Sequence, residues 1–452
     1  IYRAGMAGGG NLFASSAGIS LRIRNKHMRR DFLKICAAAG LGFAAPVTMP
    51  VSASMREEPP YEGPFYLVIN ASGGWDTTYL MDPKGIGGIN RLYKEGEILT
   101  EGAHKYAPTS KHKNGGMSNE DFYKQFGREL LVINGLDYSV NNHSPGARYM
   151  ATGKLDSLAY PTFAALVAAC KGPACPLSFL TFGNYSATGN IVAMSRVPYL
   201  PSLQRISNAD AIEGNPKSPY HDDFALARIE KALQEQQTSK KSLQSLPRQD
   251  RAENMLYAAQ TNSKAMQRIT PFIPTNTPKE RIAQQAEIAL ASFKAGVCVS
   301  ANLSIGQFDS HANNDADQMK LLPELLDGIA YILRRSEDLK IREKLVLVAQ
   351  SEMGRTPDYN KGNGKDHWSI GSIMFLGPKI KGNRVLGATD EKQFAIPFNP
   401  ATLAIDKEKG IRLRPEHIHE ALREYAGIEG HTHAKKFPLG VGEKEKLKAL
   451  WS

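Results

Sequence analysis

Residues 345–368 read LVLVAQSEMGRTPDYNKGNGKDHW. The run from Leu345 to Ala349 is apolar throughout, without the alternation of a half-buried strand, which predicts a strand covered on both faces as in a mainly parallel sheet. It ends abruptly in Ser351, Glu352 and Arg355, and a short glycine-rich loop later come Asp366 and His367. Strand ends reach solvent and collect polar residues, so one such end carries no information about function. Recurrence does.

The pattern recurs twice. FYLVIN (65–70) is followed by ASGGWDTTY, which puts Asp76 and Thr77 just past a strand, and VCVSANLSI (297–305) is followed by GQFDSHANND, which does the same for Asp309 and His311. Three further short apolar runs, ELLVIN (129–134), LSFLTF (177–182) and SIMFLG (372–377), also read as strands. Between the strands lie helical periods: PTFAALVAACK, PKERIAQQAEIALASFKAG, QMKLLPELLDGIAYILRR and PEHIHEALREYAGI. Strand alternating with helix predicts an α/β three-layer sandwich, a mainly parallel sheet with helices on both sides. From about residue 219 to 272 the chain turns polar and Gln-rich with helical period only. That stretch predicts a helical hairpin, turning near Leu246-Pro247, inserted into a single α/β domain that spans 54–452.

The N-terminal 53 residues are of another kind. In MRRDFLKICAAAGLGFAAPVTMPVSAS, which begins at Met28, Arg29 and Arg30 precede Phe32, Leu33 and Lys34. A weakly apolar Ala/Gly stretch and a small-residue Val51-Ser52-Ala53 site follow. The segment resembles a twin-arginine (Tat) signal peptide, which implies export through the Tat translocase to a periplasmic or secreted location. Residues 1–27 read as upstream sequence before a start at Met28. No mature stretch reaches the eighteen apolar residues that a spanning helix needs, so no stable transmembrane anchor is expected.

Of the 56 Lys/Arg and 45 Asp/Glu, the leader holds seven and one, which leaves 49 and 44, a net of +5. No basic stripe stands out in that remainder, so nucleic acid is not an expected partner. Cys36 lies in the leader; Cys170 and Cys175, in ACKGPACP, are near enough to bridge in an oxidising compartment and equally readable as free thiols. With no Cys/His zinc spacing present, any metal must be held by carboxylate and imidazole.

In an open parallel sheet, ligands bind beyond the carboxyl ends of the strands, so Asp76, Asp309, His311, Glu352, Asp366 and His367 are expected to converge there. Asp309 and His311 are two apart and project to one side of extended backbone, as two ligands of one cation would. Buried unpaired carboxylates cost several kcal/mol each, and a divalent cation removes that penalty. Mixed Asp, Glu and His donors suit zinc or manganese better than calcium.

In order along the chain, GGWD, HSPGARYMATGK, FDSHANN, SEMGRTP and KDHW resemble a family of Tat-exported bacterial proteins known as domain of unknown function 1501. That family is itself similar to the alkaline phosphatase and sulfatase superfamily. The resemblance spans roughly residues 63–430 and implies an alkaline phosphatase-like fold. It also implies metal ligands at Asp76, Asp309, His311, Glu352, Asp366 and His367. HSPGARYMATG parallels the sulfatase pattern CSPSRxxLLTG, whose first residue becomes the nucleophile; here that place holds His143. His143 then has three readings: metal ligand, covalent phosphohistidine, or helix N-terminal residue bonding its own backbone. Ser144 and Thr77 are the oxygen nucleophiles at hand. Arg355 reads either as a clamp on the transferred group or as a partner of Glu352. His417, His419, His431 and His433 read as solvated helix-face and tail residues, and GNGK (362–365) as a loop that positions Asp366 and His367.

The implied activity is metal-dependent hydrolysis of phosphate or sulfate esters, with a small-molecule or glycan ester as substrate. A different class of function stands beside it: a non-catalytic exported protein that keeps the scaffold, and with it a metal, to bind a surface glycan or partner.

Overall fold

The computed structural model describes residues 59–108, 116–208, 210–212, 215–241, 265–448 and 450–451. The twin-arginine segment and the proposed turn at Leu246-Pro247 lie outside the described residues. An eight-stranded sheet forms the centre. Its strands are β1 (Phe65–Ala71), β2 (Leu131–Asp137), β3 (Phe179–Thr181), β4 (Met194–Ser195), β5 (Ser300–Ile305), β6 (Leu345–Gln350), β7 (Ile370–Leu376) and β8 (Arg384–Leu386). They lie in the order β8-β2-β7-β6-β1-β5-β3-β4. Every neighbouring pair is parallel except the two that involve β7, so one strand runs against seven.

All six apolar runs read from the sequence are strands, and their lack of alternation has a direct cause. In β1, Phe65, Leu67, Ile69 and Ala71 enter one core while Tyr66 and Val68 enter the other. In β6, Leu345, Leu347 and Ala349 face the first core, and Val346 and Val348 face the second. The period of two persists, but both faces are dry, so every position is apolar. Against the first face pack helices α1 (Asn119–Phe126), α4 (Leu200–Ser207), α6 (Arg281–Lys294) and α7 (Asn314–Asp338). The opposite face is covered by α2 (His143–Thr152), α3 (Phe163–Lys171) and α8 (Pro415–Tyr425). This is the mostly parallel three-layer α/β sandwich expected. β4 and β8, with two and three residues, are too short to leave a periodic signal.

Within the polar stretch 219–272, Asp223–Lys241 forms helix α5, preceded by a small ribbon of Ala211–Ile212 with Asn215–Pro219. Among the described residues, no helix is long and apolar enough to cross a membrane. Among the described residues, Cys170 and Cys298 are free thiols.

His417 and His419 differ from their sequence reading. Both are buried on the inner side of α8. His417 Nδ1 accepts the Arg414 N–H at the start of the helix, and His419 Nε2 pairs with the Met150 carbonyl at 2.8 Å. Burial pushes His419 down to about 4, which keeps it neutral. Helical period alone could not tell this inner face from a wet one, because the same stripe carries the polar residues that bond α2 to α8.

Candidate metal centre

Topology brings the strand-end residues to one edge. β1, β2, β5 and β6 are mutually parallel and deliver Asp76, His143, Asp309 with His311, and Glu352 just beyond their carboxyl ends. β7 runs the other way, so Asp366 and His367 reach the same edge by preceding its first residue. Side chains stitch the strand ends together below them: Gln350 donates to Asn70 Oδ1 at 3.0 Å, and Asn70 donates to the Leu303 carbonyl at 3.1 Å. Ser351 Oγ donates to the Ala71 carbonyl at 2.6 Å and accepts the Trp75 N–H at 3.2 Å.

Two glycines allow the loops above this edge to close up. Gly73 has φ +119°, and a β-carbon there would lie 2.5 Å from the Asp309 nitrogen. On Gly146 a β-carbon would lie 2.5 Å from the Glu352 carbonyl oxygen, so its absence seats the first turn of α2 against β6. His143, the first residue of that helix, thereby reaches Glu352.

Three imidazoles surround the Asp309 carboxylate. His143 Nε2 lies 3.3 Å from Oδ2; His311 Nε2 and His367 Nε2 lie 3.1 and 3.3 Å from Oδ1. One donor atom from each of His143, Asp309 and His367 falls within 4.8 Å of the others, and His311 Nε2 is 2.9 Å from His367 Nε2. The other ring nitrogen of each histidine is taken. His143 Nδ1 faces Glu352 Oε1 at 3.2 Å, His311 Nδ1 faces Asp366 Oδ1 at 2.8 Å, and His367 Nδ1 faces the Asn141 carbonyl at 2.9 Å. The cluster is half-exposed, so a small ligand can reach it, while Glu352 and Arg355 beneath it are buried.

Those supports set its electrostatics. Arg355, fully buried, donates to the Gly73 and Gly74 carbonyls, to the Lys365 carbonyl at 3.0 Å and to Asp309 Oδ1 at 2.7 Å. Its guanidinium pairs with Asp309, not with Glu352. Burial would raise the Asp309 carboxyl, but the Arg355 hydrogen bond and charge, with His143 and His311, hold it below the usual carboxylate range. His143 is raised, chiefly by its hydrogen bond to Glu352 and against the effect of burial. Asp366 is lowered by the hydrogen bonds from His311 and Asn360. Glu352 accepts the Gly73 N–H at 2.7 Å on Oε1, while its buried Oε2 has no hydrogen-bond partner among the described residues.

Asp76 is placed differently from the other acids. Thr78 N and Oγ1 donate to its Oδ1 at 3.1 and 2.6 Å; Asn314 Nδ2 and Lys365 Nζ donate to its Oδ2 at 3.0 and 2.7 Å. With four donors on two oxygens and neither side chain exposed, this carboxylate has its charge met by Lys365. Around the ammonium stand the rings of Tyr79 and Tyr359, 5.3 and 5.1 Å away, and both hydroxyls contact Asp315 Oδ1.

Of the residues singled out in the sequence, Asp309, His311, His367 and His143 lie together in the structure. Glu352 and Asp366 stand one step out, each on the far nitrogen of an imidazole. Ser144 is exposed in the first turn of α2, and Thr77 is buried in the one-turn helix that Asp76 caps; among the described residues no contact joins either hydroxyl to the imidazoles. Lys365 was missed as a side chain and read only as part of a positioning loop. That loop is tied to the Asp309 segment, through Lys365 N to the Ser310 carbonyl at 3.0 Å and Asn314 N to the Asn363 carbonyl at 3.0 Å. No local spacing pairs Asp76 with a lysine 289 residues away.

The residues fit a cation. With carbonyl or carboxylate acceptors beside their Nδ1 atoms, the rings are oriented so that a proton held on Nδ1 leaves the Nε2 lone pairs toward one another and toward Asp309, as a cation requires. The 2.9 Å between His311 Nε2 and His367 Nε2 is spanned by a proton on one ring or by a cation shared with Asp309.

Fold and site together define a three-layer α/β protein with an imidazole and carboxylate cluster at the carboxyl edge of its sheet. The model of the family described as "Protein of unknown function (DUF1501)" matches residues 204–406, in keeping with the resemblance read from the motifs. No curated protein sequence matches the chain. Among solved structures, it is similar to Ps i-CgsB (8% identity, 82% of this chain and 72% of that one, TM-score 0.38). It is also similar to the sulfatase PsFucS1 from Pseudoalteromonas sp. (10% identity, 90% and 73%, TM-score 0.36). A third likeness is to TAB5 alkaline phosphatase (10% identity, 71% and 93%, TM-score 0.30). Likeness at this level bears on neither activity nor substrate.

Proposed function

We propose that the chain is an exported, metal-dependent hydrolase of phosphate or sulfate esters. The observation that carries the reading is the convergence of three imidazole Nε2 atoms on Asp309 at a half-exposed sheet edge. A divalent cation held there, zinc or manganese by the donor set, would polarise an ester oxygen and neutralise charge developing on the transferred group. The chain's own part is to fix the donors. Arg355 anchors Asp309 from below, Glu352 and Asp366 aim His143 and His311, and the Asn141 carbonyl aims His367. Ser144, exposed beside His143, is the hydroxyl best placed for an attacking role, with water the other source.

The test uses the full mature chain, freed of metal and then reloaded, against generic aryl phosphate and aryl sulfate esters. Turnover that appears with zinc or manganese and disappears on chelation is expected. A metal-loaded protein inert toward both ester classes would overturn this reading and favour the non-catalytic one, for which the imidazole at the nucleophile position is the supporting observation. Export is tested separately. Replacing Arg29 and Arg30 with Lys should hold the precursor in the cytoplasm, since ammonium does not reproduce guanidinium geometry; undiminished periplasmic accumulation would exclude the Tat route.

A further inference from the structure

The geometry points to His143 as a ligand of the metal and not as an attacking group. We propose a single, imidazole-rich centre made of His143, His311 and His367 Nε2 with Asp309, which takes a borderline transition ion such as zinc and rejects magnesium and calcium. The inference rests on the metal-dependent reading above and narrows it.

Three observations carry it. The first is spacing. Donors bound 2.0–2.1 Å from a tetrahedral zinc stand about 3.3 Å apart. The contacts around Asp309 run from 2.9 to 3.3 Å, with His143 Nε2 on Oδ2 and His311 and His367 Nε2 on Oδ1; His143, Asp309 and His367 form the mutually close set, and His311 joins it through His367 and Asp309. An imidazole that served as nucleophile would need its Nε2 open toward substrate, whereas this one is turned onto the same carboxylate as its two companions.

The second is the outer partner. Metal-bound histidines almost always give their remaining N–H to a carboxylate or a backbone carbonyl, which fixes tautomer and ring orientation. All three rings here have such a partner: Glu352, Asp366 and the Asn141 carbonyl. His143 shares the pattern with two residues whose ligand character is read independently from their Asp-x-His and Asp-His settings. Glu352 is 5% exposed and held by the Gly73 N–H, so it is a fixed support for an imidazole.

The third is donor chemistry. Three nitrogens and one carboxylate suit zinc, cobalt or copper, whereas magnesium and calcium require mostly oxygen. The oxygen-rich alternative would draw on Asp76, Glu352 and Asp366. Asp76 is saturated by Lys365, Asn314 and Thr78, and Glu352 and Asp366 each spend one oxygen on an imidazole, which leaves Glu352 Oε2 too few companions for an oxygen cage.

Metal-free full-length mature protein would be titrated with zinc, cobalt(II) and magnesium by calorimetry, and the cobalt form examined by visible absorption. Expected are one equivalent of zinc or cobalt, an intense band of a four-coordinate nitrogen-rich centre, and no magnesium binding at millimolar concentration. His143→Ala should lose more affinity than removal of an outer partner costs, and imidazole added to that variant should restore part of the cobalt band. Glu352→Gln, which keeps the ring and its shape, should weaken zinc about 10- to 100-fold. Circular dichroism of both variants establishes that they fold; if His143→Ala does not, Glu352→Gln and the parent's spectrum decide. Magnesium preference, or unchanged zinc affinity and spectrum in both variants, would overturn the inference. Zinc bound as described without turnover of any ester would leave this assignment standing and remove the hydrolase reading. Ester hydrolysis with metal binding indifferent to His143 would do the reverse.

Discussion

Replacing Asp309 and His311 together with Ala is expected to abolish stoichiometric metal. Asp309 is the common neighbour of all three imidazoles, and its loss removes the anion that their Nε2 atoms face. His311 contributes the shortest donor-to-donor distance of the set, 2.9 Å to His367. The consequence for stability follows from linkage: a cation that binds only the folded state contributes RT ln(1 + [L]/Kd), about 2.7 kcal/mol at a hundredfold excess over Kd. Thermal melts of the parent should therefore rise with added zinc, and those of the double variant should not. Because both side chains are half-exposed and lie above the packed sheet, the metal-free fold should persist. Equal metal content and equal zinc-dependent melting in parent and variant would reduce the cluster to solvated strand-end polarity.

Much of this arrangement was legible in the sequence for a definite reason. Strands buried on both faces must be apolar at every position, so where FYLVI, VCVSANLSI and LVLVA give way to Asp, His and Glu the edge of the sheet is marked directly. Parallel pairing then sends those marks to one side, which places Asp309, His311 and Glu352, while His367 reaches the same edge from the start of the antiparallel β7. Hydrogen-bond direction was not legible. Whether an acid faces a cation or an imidazole's far nitrogen depends on one rotamer, so the sequence reads Glu352 and Asp366 as ligands and is silent on the imidazole each of them contacts. His143 stood with three readings for another reason: its access to Asp309 depends on Gly146 letting α2 approach the end of β6, a contact between segments more than 200 residues apart. Arg355 read as a clamp or as the partner of Glu352, yet its fork is filled by three carbonyls and Asp309, a destination set by the Gly73-Gly74 turn.

Lys365→Met should be the most destabilising of the single changes considered. The ammonium and Asp76 are both fully buried and 2.7 Å apart, and removal of one member of a buried pair typically costs about 3–5 kcal/mol because the other charge is left uncompensated. The damage should reach the metal centre as well. The Lys365 carbonyl holds Arg355 Nη1 and its N–H holds the Ser310 carbonyl, so a shift of this backbone moves both Asp309 and the adjoining Asp366 and His367. Adding Asp76→Asn in the same chain removes the stranded anion while preserving acceptors for Thr78 and a shape close to the original. The double variant should recover much of the lost stability, read as the urea midpoint at constant m-value. It also separates two roles for Asp76. As the buried partner of Lys365, Asp76 can become Asn in the Lys365→Met background while zinc stoichiometry stays at the parent's value. As the metal ligand that the motif resemblance implies, the same change would lower metal content while stability recovers. A Lys365→Met effect below about 1 kcal/mol would show instead that water or a rearranged Asn314 meets the Asp76 charge, and the ion pair would lose its place as the support of this edge.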